Sequence, residues 1–296
     1  MPSHYPVTVV IPSMRGWPRM SIALDSLLPQ VRRVGGQLIV ADGSNGRRPT
    51  AVAESADVIW LSMPRATVFE LRQAAYRRAA ADIICVTEDH CAPADDWLST
   101  IIDAHAEDPE AAVIFGAVEN GSTEHAVDWA LYCAGYGALA PPLPVDTTAN
   151  PGHANTSWKK SAFERVPPTG ERVLEFVYNA ALRESGARVV ADDRLRVRHF
   201  QCEPVEPTME LFFHNGRAIA AIRRPYMAAH DWARVVAPHL LAGYRTARTL
   251  RRVWDKPFRG AALRATPYIA LLHLAHAVGE GVGYVYGSGD SGRHLH

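Results

Sequence analysis

The sequence predicts an α/β fold, a mainly parallel sheet covered on both faces by helices, followed by a helical C-terminal extension. Three observations carry that reading. Short β-branched runs recur at Val7–Ile11, Gln37–Ala41, Val58–Leu61 and Ile83–Thr87. Helical patterns lie between them, and strands alternating with helices at this spacing build parallel sheets with both faces covered. From Pro207 onward the chain reads as helix alone, broken at Pro225, Pro257 and Pro267. With 296 residues, 48% of them apolar, there is material for a sizeable core.

Taken in order, Met20–Val31 sets Ile22, Leu24, Leu27 and Leu28 near one helical face, and Val68–Ala81 does the same with Leu71, Ala75 and Ala79. After Asp96-Trp97-Leu98 come a helix to His105, a strand Ala112–Ala117, a helix near His125–Tyr136 and a proline-rich loop Pro141–Pro151. The helix Val173–Gly186 ends at a glycine suited to a left-handed cap. Strands Ala187–Val190 and Leu195–His199 follow, and the domain boundary is placed near 205, giving units 1–205 and 206–296.

Composition narrows the function classes. Lys+Arg and Asp+Glu both total 31, yet residues 1–216 carry a net −8 while Arg217–Arg264 carries +9. A basic helical segment on an acidic body points to an anionic surface, with an ordinary solvated arginine face as the alternative. No nucleic-acid partner is expected. Cys85, Cys91, Cys133 and Cys202 lack zinc-knuckle spacing or disulfide density, so reduced thiols and a cytoplasmic location are expected. The N-terminus does not read as a secretory signal, and Thr266–Gly287 is interrupted by His273, His276 and Glu280, so no spanning helix is expected.

In such sheets ligands bind beyond the carboxyl ends of the strands. The first strand ends in Pro12-Ser13-Met14-Arg15, where a hydroxyl and a guanidinium could meet a nucleotide, although Pro and Ser also serve as plain turn residues. The second ends in Asp42-Gly43-Ser44, an acceptor for a base N–H or ribose hydroxyl or an ordinary Asp-Gly turn. The fourth delivers Thr87-Glu88-Asp89-His90-Cys91. Glu88 and His90 would project to one side in extended geometry, and carboxylate with imidazole suits Mn²⁺ and tolerates Mg²⁺.

This order of signals resembles the family 2 glycosyltransferases with the GT-A fold, over roughly residues 5–200. Val7–Ser13 and Leu38–Ser44 are similar to that family's first two strand-and-turn segments, and Arg72 in Leu71-Arg72-Gln73 to an arginine before its metal strand. Its DXD element, followed by a proline and Asp-Trp-Leu, lines up with Glu88-Asp89-His90, then Pro93 and Asp96-Trp97-Leu98. An imidazole therefore stands where the second carboxylate is usual, as in DXH variants.

The resemblance implies an inverting, metal-assisted transfer of sugar from a nucleoside-diphosphate donor to a hydroxyl of a glycan or lipid-linked acceptor, in envelope or extracellular polysaccharide assembly. Pro12, Ser13, Arg15, Asp42, Arg72, Glu88 and Asp89 would bind the donor. His90, Asp89 and His199 would hold Mn²⁺ or Mg²⁺, and Glu175 would be the base. The segment Gly152–Trp158 would shape the sugar and acceptor pocket. A sugar-nucleotide pyrophosphorylase is a rival reading, but Ser13–Trp17 is a poor match for a glycine-rich phosphate loop with a following base. A non-catalytic assembly module is another. The basic extension would sit on the inner face of a membrane, pack on the core or form a homo-oligomer interface.

Overall fold

The computed structural model describes residues 5–46, 48–53, 58–143, 154–167, 175–200, 205–227 and 232–295. In chain order the elements are β1 (Thr8–Ser13), α1 (Ser21–Val34), β2 (Gln37–Asp42), α2 (Thr50–Ala53), β3 (Val58–Ser62), α3 (Val68–Arg78), β4 (Ile83–Val86), β5 (Cys91–Pro93), α4 (Trp97–Glu107), β6 (Ala111–Asn120) and α5 (Ala126–Gly135). There follow β7 (Thr156–Lys159), α6 (Lys160–Arg165), α7 (Glu175–Glu184), β8 (Arg188–His199), α8 (Val205–Arg223), α9 (Ala233–Val236), α10 (Pro238–Arg252), α11 (Arg259–Arg264) and α12 (Thr266–Tyr286). Two compact units emerge, one of residues 1–119 and 141–200, the other of 120–140 and 201–296.

The first unit is the expected helix-covered sheet, with strand order β3-β2-β1-β4-β7-β6-β8-β5. Its first four strands are parallel, in register from Thr8↔Gln37 to Ser13↔Asp42 and with Val10 beside Val86. Val10, Ile39, Ala41, Ile84 and Val86 join one buried core with Leu71 and Ala75 of α3. The alternate residues Val9, Ile11, Leu38, Val40 and Cys85 are equally buried, which is why these strands read as continuous apolar runs. Helix α3 starts sharply because Thr67 and Glu70 form a reciprocal capping box. Gly186 takes the expected left-handed conformation (φ 79°) after α7.

The other half of the sheet is antiparallel and departs from the sequence reading in three places. β7 pairs with β4 and β6, and its polar-looking Thr156 and Ser157 are fully buried. Their burial is tolerable because the hydroxyls can find partners on neighbouring elements; Ser157 Oγ donates to Ile114 O at 3.0 Å. β8 is one strand of 12 residues instead of two. The charged residues in its middle lie at the surface, where Arg194 pairs with Asp192 and Glu107, both at 2.7 Å, and the ladder runs through. β5, only three residues long, was not foreseen and pairs antiparallel with β8, Cys91 opposite His199.

The second unit is helical. Built Cβ atoms at Gly216 and Gly279 would come within 2.1 Å of His276 O and 2.0 Å of Phe213 O, so α8 and α12 touch backbone to backbone and only glycine fits there. The polar residues that interrupt α12 find partners inside this unit, save for Glu280 Oε2, which has no hydrogen bond among the described residues. Thr249 Oγ1 and His273 Nε2 are 3.0 Å apart, and fully buried Glu280 accepts from Arg245 Nη2 at 2.7 Å. Burial, with the Arg245 charge, pushes His276 down to about 3, so it accepts from Arg245 Nη1 as a neutral ring. Pro267 opens α12 at its first turn, where a missing N–H costs nothing, and does not break a helix. No helix among the described residues is long and apolar enough to cross a membrane.

Candidate active site

Strand order reverses between β1 and β4, and the residues after those strands and after β2 meet there, where open α/β sheets bind ligands. Ser13 and Asp42 are register partners at the ends of β1 and β2, each 1% exposed. The Ser13 hydroxyl accepts from Gly16 N–H at 2.8 Å and donates to Asp89 Oδ2. Gly16 is left-handed (φ 65°), and a Cβ on it would strike Ser44 Oγ at 2.2 Å, so glycine closes the turn over Asp42. Asp42 Oδ1 accepts from Ser44 N–H at 2.9 Å. Pro12 is buried within β1, and Arg15 is exposed in the turn that follows.

The chain leaves β4 through Thr87, whose hydroxyl donates to Ala154 O at 2.8 Å, and then turns, Cys91 N–H donating to Glu88 O at 3.1 Å. Glu88 and His90 do reach the same side, but through this turn and not through extended geometry. β5 then pairs with β8, and Phe200 N–H donates to His90 O at 3.1 Å. On β8 the inward residues alternate as Leu195, Val197 and His199, which sets His199 against His90.

Three ligand atoms converge as a result. His90 Nε2 lies 2.8 Å from His199 Nε2; Glu88 Oε2 lies 3.1 Å from His199 Nε2 and 3.8 Å from His90 Nε2. Adjacent ligands about an ion with bonds near 2.1 Å sit about 3 Å apart, so the set fits a divalent cation. The next layer supports it. His90 Nδ1 meets Asp89 Oδ1 at 2.7 Å, so a proton on Nδ1 leaves Nε2 with a bare lone pair aimed at the convergence.

Burial opposes the charge on Asp89. The bonds from His90 and Ser13, with the Arg19 guanidinium at 3.9 Å, overcome it and hold the carboxyl below the usual carboxylate range. Burial also keeps His199 below the ordinary imidazole value, against the pull of Glu88, so it stays neutral and able to ligate.

Of the residues expected from sequence, Glu88, His90 and His199 come together. Asp89 touches them from behind, through His90, and Ser13 through Asp89. Arg72 is buried on α3 near Tyr76; burial lifts that phenol to about 12 while the Arg72 charge works against the shift. Glu175 is the first residue of α7, and its side chain lies outside the described residues. Gly152 and His153 also lie outside them. Asn155 is a bolt of the core, donating to Ala117 O and Leu195 O and accepting from Trp97 Nε1. Arg19 escaped the sequence reading, and Cys91, though it closes the Thr87–Cys91 segment, was given no role in it. Cys91 Sγ lies 4.0 Å from Glu88 Oε2, and no spacing rule signals either residue.

The structure is similar to the mannosyltransferase PcManGT from Pyrobaculum calidifontis in complex with GDP-Man and Mn²⁺. At 17% identity, that match covers 96% of this chain and 88% of the other, with TM-score 0.60. It is also similar to residues 1–349 of TarS from S. aureus, at 10% identity, 90% of each chain and TM-score 0.51. No curated protein matches the sequence. At these identities the likeness establishes the GT-A fold. Residues 8–163, more than half of the chain, match the model of glycosyl transferase family 2, and the chain belongs to that family.

Proposed function

We propose that the chain transfers a sugar from a nucleoside-diphosphate donor to a hydroxyl acceptor with inversion at the anomeric carbon, assisted by a divalent ion held by Glu88, His90 and His199. The observation that carries this reading is the convergence of those three ligand atoms at the switch point of the sheet. The GDP-Man and Mn²⁺ in the Pyrobaculum mannosyltransferase support the same ligand classes here, with Mn²⁺ favoured over Mg²⁺ by the two imidazoles. Family membership favours transfer over the pyrophosphorylase alternative.

Each residue has a task in this reading. Asp42, at the end of β2, accepts from the base or ribose. Arg15 and Arg72 supply positive charge toward the donor phosphates. Asp89 fixes the His90 ring and, through Ser13, ties the β1 and β4 loops together; its two oxygens are already engaged, so it is assigned a positioning role and Glu88 the ligand role. A divalent ion, when bound, neutralises charge on the departing diphosphate. Glu175 takes the proton of the acceptor hydroxyl as that oxygen attacks opposite the leaving group.

A thermal-shift panel of nucleoside diphosphates with and without Mn²⁺ tests donor binding, because a ligand selective for the folded state raises its melting temperature by linkage. One diphosphate should stabilise the metal-stripped chain far more with Mn²⁺ than without. Equal shifts for every nucleotide in both conditions would remove the metal from the account.

The acceptor is proposed to be a glycan or lipid-linked hydroxyl of an envelope or extracellular polysaccharide, met at the cytoplasmic face of a membrane. On α10, Leu240 and Tyr244 are 67% and 62% exposed on the side that carries exposed Arg248 and Arg251, an arrangement suited to an anionic interface. Tyr268, Leu271 and Leu274 of α12 are exposed as well, whereas Ile269 and Leu272 are buried and unavailable to lipid. The intact protein should float with anionic liposomes at low salt and be released at high salt, each basic side chain contributing about 1 kcal/mol before screening. Failure to float with anionic or neutral vesicles would leave packing or self-association as the role of these helices.

A further inference from the structure

A second group of ligand-type side chains lies wholly within the helical unit. Glu210 and His214 stand four residues apart on α8 and so share a face. The end of the chain returns to them. The 3-10 turn Ser291–Arg293 packs on α8, and His214 Nδ1 lies 2.9 Å from Ser291 Oγ. Just beyond that turn the His294 ring stacks on His214, with centroids 3.9 Å apart.

Glu210 Oε1 lies 3.8 Å from His214 Nε2 and 3.5 Å from His294 Nδ1. These separations are longer than good hydrogen bonds. They are close to the spacing of about 3.4 Å between ligands of a tetrahedral ion with bonds of about 2.1 Å. All three ligand atoms lie within 4.8 Å of one another. The remaining nitrogen of His214 has Ser291 Oγ at 2.9 Å to orient it, and that of His294 lies 3.7 Å from Asp290 Oδ2, beyond a direct hydrogen bond. Burial also holds His214 below the usual imidazole value, which keeps it neutral and able to ligate.

We infer that Glu210, His214 and His294 bind a divalent transition ion of the zinc class, which fastens the end of the chain to α8. Two imidazoles and one carboxylate form a donor set that suits Zn²⁺ and leaves one position for water. His214 is buried, so the half-buried His294 ring makes the adjustment, turning its Nδ1 toward the ion. This inference is independent of the glycosyltransferase reading, and its test is local because the Glu88 cluster holds a similar donor set.

The test is hydrogen exchange on the metal-stripped full chain, with and without Zn²⁺ up to about 100 µM, read in the peptide spanning residues 288–295. Zn²⁺ should slow exchange there by about tenfold or more in the unsubstituted protein. The slowing should vanish in both His294→Ala and Glu210→Gln, a half-buried and an exposed position whose substitution is expected to leave the bundle folded. No slowing in the unsubstituted protein, or slowing that persists in either variant, overturns the inference.

Discussion

Replacing His90 or His199 by alanine is expected to raise the Mn²⁺ concentration needed for half-maximal turnover by about a hundredfold or more, because each removes one of three converging ligands. The two Nε2 atoms lie 2.8 Å apart, within the span of adjacent ligands on one ion. Glu88→Gln should behave likewise, since an amide oxygen carries no charge and binds a hard cation weakly. Asp89→Asn should cost less, about tenfold to a hundredfold, because it loosens the His90 ring without removing a ligand. Metal titrations of turnover on the four variants measure this ranking. An Asp89→Asn effect larger than that of His199→Ala would exchange their roles, and undiminished activity in excess chelator would reduce residues 88–90 to a hydrogen-bonding loop.

Glu175→Gln is expected to cut turnover by about a hundredfold to ten-thousandfold with donor binding nearly intact, the signature of a lost general base. The substitution keeps size and hydrogen-bonding reach while removing basicity. Glu175 opens α7, where a helix N-terminus stabilises carboxylate charge, and the residue before it in sequence is Leu174, not a second acid. Paired kinetics and calorimetry decide. Lost nucleotide affinity with near-normal turnover would make Glu175 a donor ligand and move the base elsewhere.

The parallel half of the fold was legible because burial on both faces leaves an unmistakable apolar run, and because each run ends in a polar residue at the sheet's ligand edge, Ser13, Asp42 or Glu88. The antiparallel half was not. Thr156–Lys159 reads as polar, and its hydroxyls are paid for only by partners such as Ile114, 43 residues away. Cys91–Pro93 is too short and too proline-marked to announce a strand, yet its pairing with β8 is what brings His90 to His199 across 109 positions.

For the same reason the residue types of the site could be named from sequence while their division of labour could not. Glu88, Asp89 and His90 are adjacent in sequence, and only the turn at Cys91 decides that Glu88 faces His199 while Asp89 faces Ser13. The Glu210, His214 and His294 group gave no signal, since its third member joins from 80 residues beyond the second.

The most direct measurement follows the metal-stripped chain with a panel of nucleotide sugars, recording nucleoside diphosphate release in Mn²⁺ and in chelator, for the unsubstituted protein and for His199→Ala. Release from one donor class in Mn²⁺, arrest in chelator, and recovery in His199→Ala only at much higher Mn²⁺ are expected. Release at the same rate in chelator, or a His199→Ala variant with the metal requirement of the unsubstituted protein, would contradict metal-assisted transfer.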